Sequence, residues 1–344
     1  MELVDLGRQG LRGLARPENV FELRAAPQGH GLDPTRSPTM RPPSVAGASR
    51  LPSPQTRTVG RDEDREAVAK LLREPDVRLV TVTGTGGVGK TRLAVEVARQ
   101  FEAELLDGGW FVSLAATARG EHVPGAIARA LGVTPLRGET LEAAVERFLA
   151  PKQGLIVLDN LEHLLSAARL VSDLLGACAG LKVLATSREA LRLQAEHRYA
   201  LAPLVLPTDD DAASIERSPA GALFVERARS HDQDFQLTER NAAAIAEICR
   251  RLDGLPLAIE LAAARITMLD PDELNARLAQ ALDVLGTGPR DAPDRQRTLR
   301  ATIDWSHNLL DDDEKQCFAR IAIFSRPAVR SRPELIVTNE GEAA

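Results

Sequence analysis

Residues Arg78 to Arg92 read RLVTVTGTGGVGKTR. The run Leu79-Val80-Thr81-Val82-Thr83 is apolar and β-branched, too short for a helix and free of Gly and Pro, so it predicts a buried strand. Gly84-Thr85-Gly86-Gly87-Val88-Gly89-Lys90-Thr91 fits G-x-x-x-x-G-K-[ST], a phosphate-binding loop. Leu93 to Arg99 has helical character, so the loop joins a strand to a helix, as the motif requires. Its glycines let the backbone fold back and bring N–H groups up to oxygen atoms where a Cβ would clash. The helix N-terminus behind adds unpaired N–H groups and a dipole that favours an anion. Lys90 is expected on the β- and γ-phosphates, and the Thr91 hydroxyl on Mg²⁺.

Two more strands repeat the layout. Gly154-Leu155-Ile156-Val157-Leu158-Asp159-Asn160 is an apolar strand ending in an acid, the Walker B arrangement, with Asp159 placed to reach the Mg²⁺ shell. The plainer alternative is a strand followed by an Asp turn. Leu181 to Glu189, LKVLATSRE, brings two hydroxyls and Arg188 to the same edge. Arg188 there either senses the γ-phosphate or forms a solvated salt bridge with Glu189 or a neighbour. Gly109 to Leu114 reads as another strand, and helical patterns cover Val123–Leu131, Leu141–Leu149 and Ala167–Leu175. Strands alternating with helices predict an α/β fold, a parallel sheet covered on both faces. Its ligand belongs at the C-terminal strand edge, where the three motifs end.

A length of 344 residues suits roughly two domains. The chain is 44% hydrophobic, enough to bury a core, and its net charge of −6 offers no overall basic footprint for nucleic acid. Cys178, Cys249 and Cys317 show no C-x-x-C spacing and lie in apolar helical contexts, which predicts buried thiols. No basic-then-apolar leader and no long apolar run occur, so a soluble, cytoplasmic protein without a membrane partner is expected.

Along the chain, residues 1–25 have the composition of the end of a folded unit, and the Pro-punctuated stretch 26–56 reads as a linker. A helix is expected over Asp62 to Arg73 from Val68, Leu71 and Leu72. Strand signals fade after about Pro207. Ala220–Ala228, Arg240–Leu252 and Leu255–Ile266 then carry helical spacing, and Asp270-Pro271-Asp272-Glu273 starts a helix through about Leu282. The expected layout is a phosphate-loop domain over 57–206 and a helical lid over 207–288. Two helices of an incomplete third unit follow over 289–325 (Arg297–Leu310 and Lys315–Phe324), then a disordered tail over 326–344.

Val59-Gly60-Arg61, the phosphate loop, LIVLDNLEHL, LATSRE and GLPLAIELAAAR, in this order and spacing, resemble the STAND class of signal-transduction P-loop ATPases, whose bacterial regulators carry a nucleotide module related to NB-ARC. TLRATIDWSHNLLDDDEKQCFARIAIF resembles the start of the winged-helix module that follows in that class. The resemblance covers roughly residues 56–324 and implies ATP or ADP with Mg²⁺ as ligands. It puts Val59, Gly60 and Arg61 at the adenine end, Gly84 to Arg92 around the phosphates, and Thr91 and Asp159 at the metal. Arg188 becomes the sensor beside Lys90, and Pro256 closes over the base from the helical domain. Pro256 read by itself is simply Pro at the first position of a buried helix. LVDLGRQGLRGLARPENVFEL resembles the closing segment of class III nucleotide cyclase domains but includes none of their chemistry, so no cyclase activity is implied.

Asn160 departs from the pattern of vigorous P-loop ATPases, which carry a second acid there; Glu162 is the nearest substitute. The resemblance therefore implies a nucleotide-operated switch with slow hydrolysis, capable of self-association or of binding a regulatory protein partner, in a signalling or transcriptional regulator. The competing readings are an AAA-type turnover ATPase, against which Asn160 speaks, and a truncated interaction module without switching. No Asn-Lys-x-Asp guanine signature occurs, and no nucleic-acid-binding module is evident.

Overall fold

A computed structural model of the chain describes residues 2–9, 18–24, 51–117, 119–162, 164, 167–278, 285 and 315–316, and divides it into two units, Met1–Val45 and Ala46–Ala344. In the first unit, β1 (Glu2–Gln9) and β2 (Glu18–Arg24) pair antiparallel, with a register irregularity between Asp5 and Arg8.

The second unit opens with α1 (Asp62–Arg73), β3 (Leu79–Thr83), α2 (Lys90–Glu102), β4 (Gly109–Ser113), α3 (Val123–Leu131) and α4 (Leu141–Leu149). It continues through β5 (Gly154–Asp159), α5 (Ala168–Ala177), β6 (Leu181–Ser187) and β7 (Glu196–Ala200). Among the described residues β3 to β7 form one parallel sheet in the order β4-β5-β6-β3-β7. β6 thus lies between the phosphate-loop strand and the Walker B strand, and the three motif-bearing ends are neighbours.

Side-chain alternation sorts this sheet into layers. Val80, Val82, Leu155, Val157 and Leu184 pack with α1 and α2, while Leu79, Ile156, Leu158, Val183 and Ala185 pack with α3, α4 and α5. All six residues of β5 are buried, which is why its sequence is continuously apolar rather than alternating. The result is the three-layer α/β/α architecture. Packing begins before the predicted domain start: Leu51 is buried against Gly109 and joins the α1/α2 layer.

β7, EHRYA, goes unrecognised in the sequence because its pattern is polar. It is an edge strand bonded to β3 on one side and partly exposed, so apolar alternation is not demanded of it.

The second half of this unit is helical: α6 (Ala212–Arg217), α7 (Pro219–His231), α8 (Glu239–Arg251), α9 (Pro256–Ala263) and α10 (Pro271–Leu278). Its core gathers Phe224, Ile245, Ile248, Ile259 and Leu274. The starts are chemically marked. Asp211 and Ser218 accept from Ser214 N and Gly221 N, Thr238 and Asn241 form a reciprocal capping box, and Asp270 Oδ1 accepts from Glu273 N at 2.8 Å. Residues 279–284 lie outside the described residues, as do most of 286–344, including the predicted winged-helix start, the tail and Cys317.

Cys178 and Cys249 are buried free thiols, and burial pushes that of Cys249 up to about 12. Among the described residues no helix is long and apolar enough to cross a membrane.

Candidate functional site

β3 ends, the loop turns, and Gly89 caps α2, whose first residue is Lys90. The Lys90 ammonium is folded onto its own loop: Nζ donates to the Gly84 carbonyl at 2.8 Å and to that of Thr85 at 3.0 Å. Thr91 Oγ1 donates to Asp159 Oδ1 at 2.6 Å, and Thr186 Oγ1 donates to the same oxygen at 2.7 Å. The Asn160 N–H in turn donates to Thr186 Oγ1 at 3.0 Å. One buried carboxylate therefore joins the ends of α2, β5 and β6. Thr91 and Asp159 supply hard oxygen donors, which suit Mg²⁺. Among the described residues no group of three or more His, Cys, Asp or Glu forms a metal cage.

In front of this edge lies a cavity of about 400 Å³. Val59, Arg61, Gly86 to Arg92, Arg188 and Pro256 line it, with Asn160 and Glu162, whereas Gly60, Gly84, Thr85 and Asp159 are not part of its lining. Gly60 packs against the helical half. At φ +66 it passes so close to Pro219 of α7 that an added Cβ would lie 2.3 Å from the proline Cβ. The Arg61 guanidinium is buried, donating through Nη2 to the Val88 carbonyl at 3.0 Å and pairing through Nη1 with Asp64 at 2.9 Å. Asp64 also accepts from the Tyr199 hydroxyl at 2.6 Å. Burial first, and this hydrogen bond second, push the Tyr199 phenol up to about 12.

Arg188 pairs with a neighbour rather than with Glu189: its Nε lies 3.5 Å from Glu162 Oε1. Arg92 turns toward the incoming chain, donating to the Thr56 carbonyl and to Thr58 Oγ1, and pairing with Glu96 at 3.0 Å. Pro256 is the first residue of α9, and the next N–H, that of Leu257, donates to the Gly87 carbonyl of the loop at 3.2 Å. The helical half thus touches the phosphate loop directly.

Several cavity residues escape sequence reasoning. Arg227 of α7 lines the cavity, donates to Glu260 Oε1 at 3.0 Å and reaches the Arg57 carbonyl at 3.1 Å, yet in sequence it is an ordinary helix-surface arginine. Thr186, behind the cavity wall, is legible only as one of a hydroxyl pair, and Pro52, Ser53 and Pro54 of the wall only as linker. No local pattern marks these contacts.

A parallel sheet with a phosphate loop at one strand end and a Walker B acid two strands away defines a P-loop NTPase. The NB-ARC domain family matches residues 61–197. A Mycobacterium tuberculosis protein described as a putative HTH-type transcriptional regulator is 46% identical over 248 residues, which are 72% of this chain and 27% of that protein. An uncharacterised protein of the same organism is 37% identical over 289 residues, covering 84% of this chain and 70% of that one. Among solved structures, a STAND protein with a tetratricopeptide-repeat sensor from Pyrococcus horikoshii aligns at 14% identity and a TM-score of 0.38, over 80% of this chain and 36% of that one. The chain belongs to the family of that uncharacterised protein and carries an NB-ARC domain, and it spans about a quarter of the length of the matched regulator, 27%.

Proposed function

We propose that the chain binds ATP and ADP with Mg²⁺ and acts as a conformational switch within a bacterial signalling or transcriptional regulator. The observation that carries this reading is the cavity itself, walled on one side by Gly86 to Arg92 and on the other by Pro256, Leu257 and Arg227 of the helical half. A ligand held between two packed bodies changes their equilibrium by its differential contacts with them. The phosphate loop would take the phosphates, with Thr91 and Asp159 serving the Mg²⁺ ion. Bound Mg²⁺ would offset phosphate charge. The γ-phosphate, present only in ATP, would draw Lys90 off the Gly84 and Thr85 carbonyls and Arg188 off Glu162. Val59 and Pro256 would flank the base. Self-association or capture of a regulatory protein partner would be the output of the ATP-loaded form.

Calorimetry of ADP and ATP with Mg²⁺ on the whole chain and on Lys90→Ala tests the proposal. Wild type is expected to bind both nucleotides. The variant is expected to lose thirtyfold or more in ATP affinity, from the ~2–5 kcal/mol of a removed buried charge contact. Failure of folded wild type to bind either nucleotide would sink the switch.

A further inference from the structure

We infer that Glu162 is the proton acceptor for the water that attacks the terminal phosphate, acting from two residues beyond the position where this chain lacks an acid. The inference rests on the nucleotide-switch reading above.

Its basis is the turn after β5. Asn160 has φ +69, a left-handed conformation that asparagine tolerates better than most side chains. The turn is pinned twice to the end of β6: Asn160 N–H donates to Thr186 Oγ1 at 3.0 Å and Leu161 N–H to the Thr186 carbonyl at 3.0 Å. The chain is thereby returned so that Glu162 lines the cavity together with Lys90, Thr91 and Arg188.

Glu162 is only 9% exposed. Its Oε1 accepts from Asn160 Nδ2 at 3.2 Å and lies 3.5 Å from Arg188 Nε. Its Oε2 is buried, and among the described residues no hydrogen bond reaches it. A buried carboxylate oxygen without a donor is costly, and such a group calls for an explanation beyond folding. An oxygen that would be uncovered to accept a proton from water once Arg188 moves to the γ-phosphate is that explanation.

The residue at 160 is then complementary rather than deficient. An amide there donates to Glu162 and orients it. A second carboxylate would set two like charges side by side, and one of them would tend to hold a proton and lose its basicity. Arg188 offsets the Glu162 charge through a contact longer than a good hydrogen bond. Moving to the γ-phosphate, its guanidinium would leave the carboxylate free to take the proton. The reaction balances: water oxygen bonds to the γ-phosphorus, and the bond from that phosphorus to the bridging oxygen breaks with its electron pair going to ADP. Glu162 receives the water proton and releases it, giving ADP, inorganic phosphate and a proton.

The test is single-turnover phosphate release, paired with ADP and ATP calorimetry, on wild type, Glu162→Gln and Glu162→Asp. For Glu162→Gln, phosphate release falls at least a hundredfold, within the range of a lost general base. Its ADP affinity stays within about twofold, and ATP binds severalfold tighter because a negative charge beside the terminal phosphate is gone. Glu162→Asp, which keeps the acceptor but draws it back, falls between. Phosphate release by Glu162→Gln within threefold of wild type would overturn the assignment, as would a parallel loss of ADP affinity in that variant. Wild type that binds ATP without ever hydrolysing it overturns this inference alone; wild type that binds no nucleotide overturns the switch reading beneath it.

Discussion

Two threonines near the loop carry the same side chain into opposite circumstances. Thr81 of β3 is fully buried, and among the described residues its hydroxyl makes no hydrogen bond. Thr186 of β6 is equally buried, but its hydroxyl donates to Asp159 and accepts from Asn160 N–H. Replacing each by valine, which has nearly the same shape, gives opposite signs. Thr81→Val removes a desolvated hydroxyl and is expected to stabilise by about 1 kcal/mol; Thr186→Val takes one of two hydroxyl donors from Asp159 Oδ1, strands the Asn160 backbone donor and is expected to cost about 1–3 kcal/mol. Urea unfolding of the two variants measures both, and equal effects would mean that the hydroxyl environments are not as described.

Among the elements, β7 does more than its plain sequence suggests. It extends the sheet beside β3 and carries Tyr199, whose hydroxyl reaches Asp64 on α1, which holds Arg61 against the loop. The neutral phenol is the form that this site favours, so its folded value of about 12 lies above the ordinary 10. The corresponding stability is fully present below pH 10 and is lost as pH rises from 10 toward 12, because the unfolded chain gives up this proton first. Tyr199→Phe is expected to lose roughly 1 kcal/mol at neutral pH and to show a shallower decline between about pH 10 and 12 than wild type. Thermal melts across that range check the slope.

The whole molecule turns on how the helical half meets the sheet half. Besides the Leu257-to-Gly87 hydrogen bond, Gly60 meets Pro219 at the start of α7, where it has both a positive φ and no space for a side chain. Gly60→Ala is expected to destabilise by about 2–4 kcal/mol, combining backbone strain with overpacking, and to push the two halves apart. Denaturant unfolding gives the cost, and small-angle scattering of the variant should show a larger radius. An unchanged radius with full stability would mean that α7 yields without disturbing the closed arrangement.

Much of the architecture is legible in particular residues. Leu79 to Thr83, Leu155 to Leu158 and Leu181 to Ser187 announce strands because a strand buried on both faces is largely apolar, and Asp270-Pro271 with Glu273 announces a helix because unpaired N–H groups need a local acceptor. The loop from β3 into α2 is legible because its pattern is concentrated in consecutive residues, Gly84 to Thr91. Tertiary structure alone decided that β6 slips between β3 and β5, that Thr186 shares the Asp159 oxygen, that Glu162 faces Arg188, and that Leu257 seats on Gly87. Each of these joins residues far apart in the chain, through single polar contacts or strand order. Such pairings place no periodic demand on neighbouring positions, so they leave no trace in local sequence and exist only once the core has brought the strand ends and α9 together.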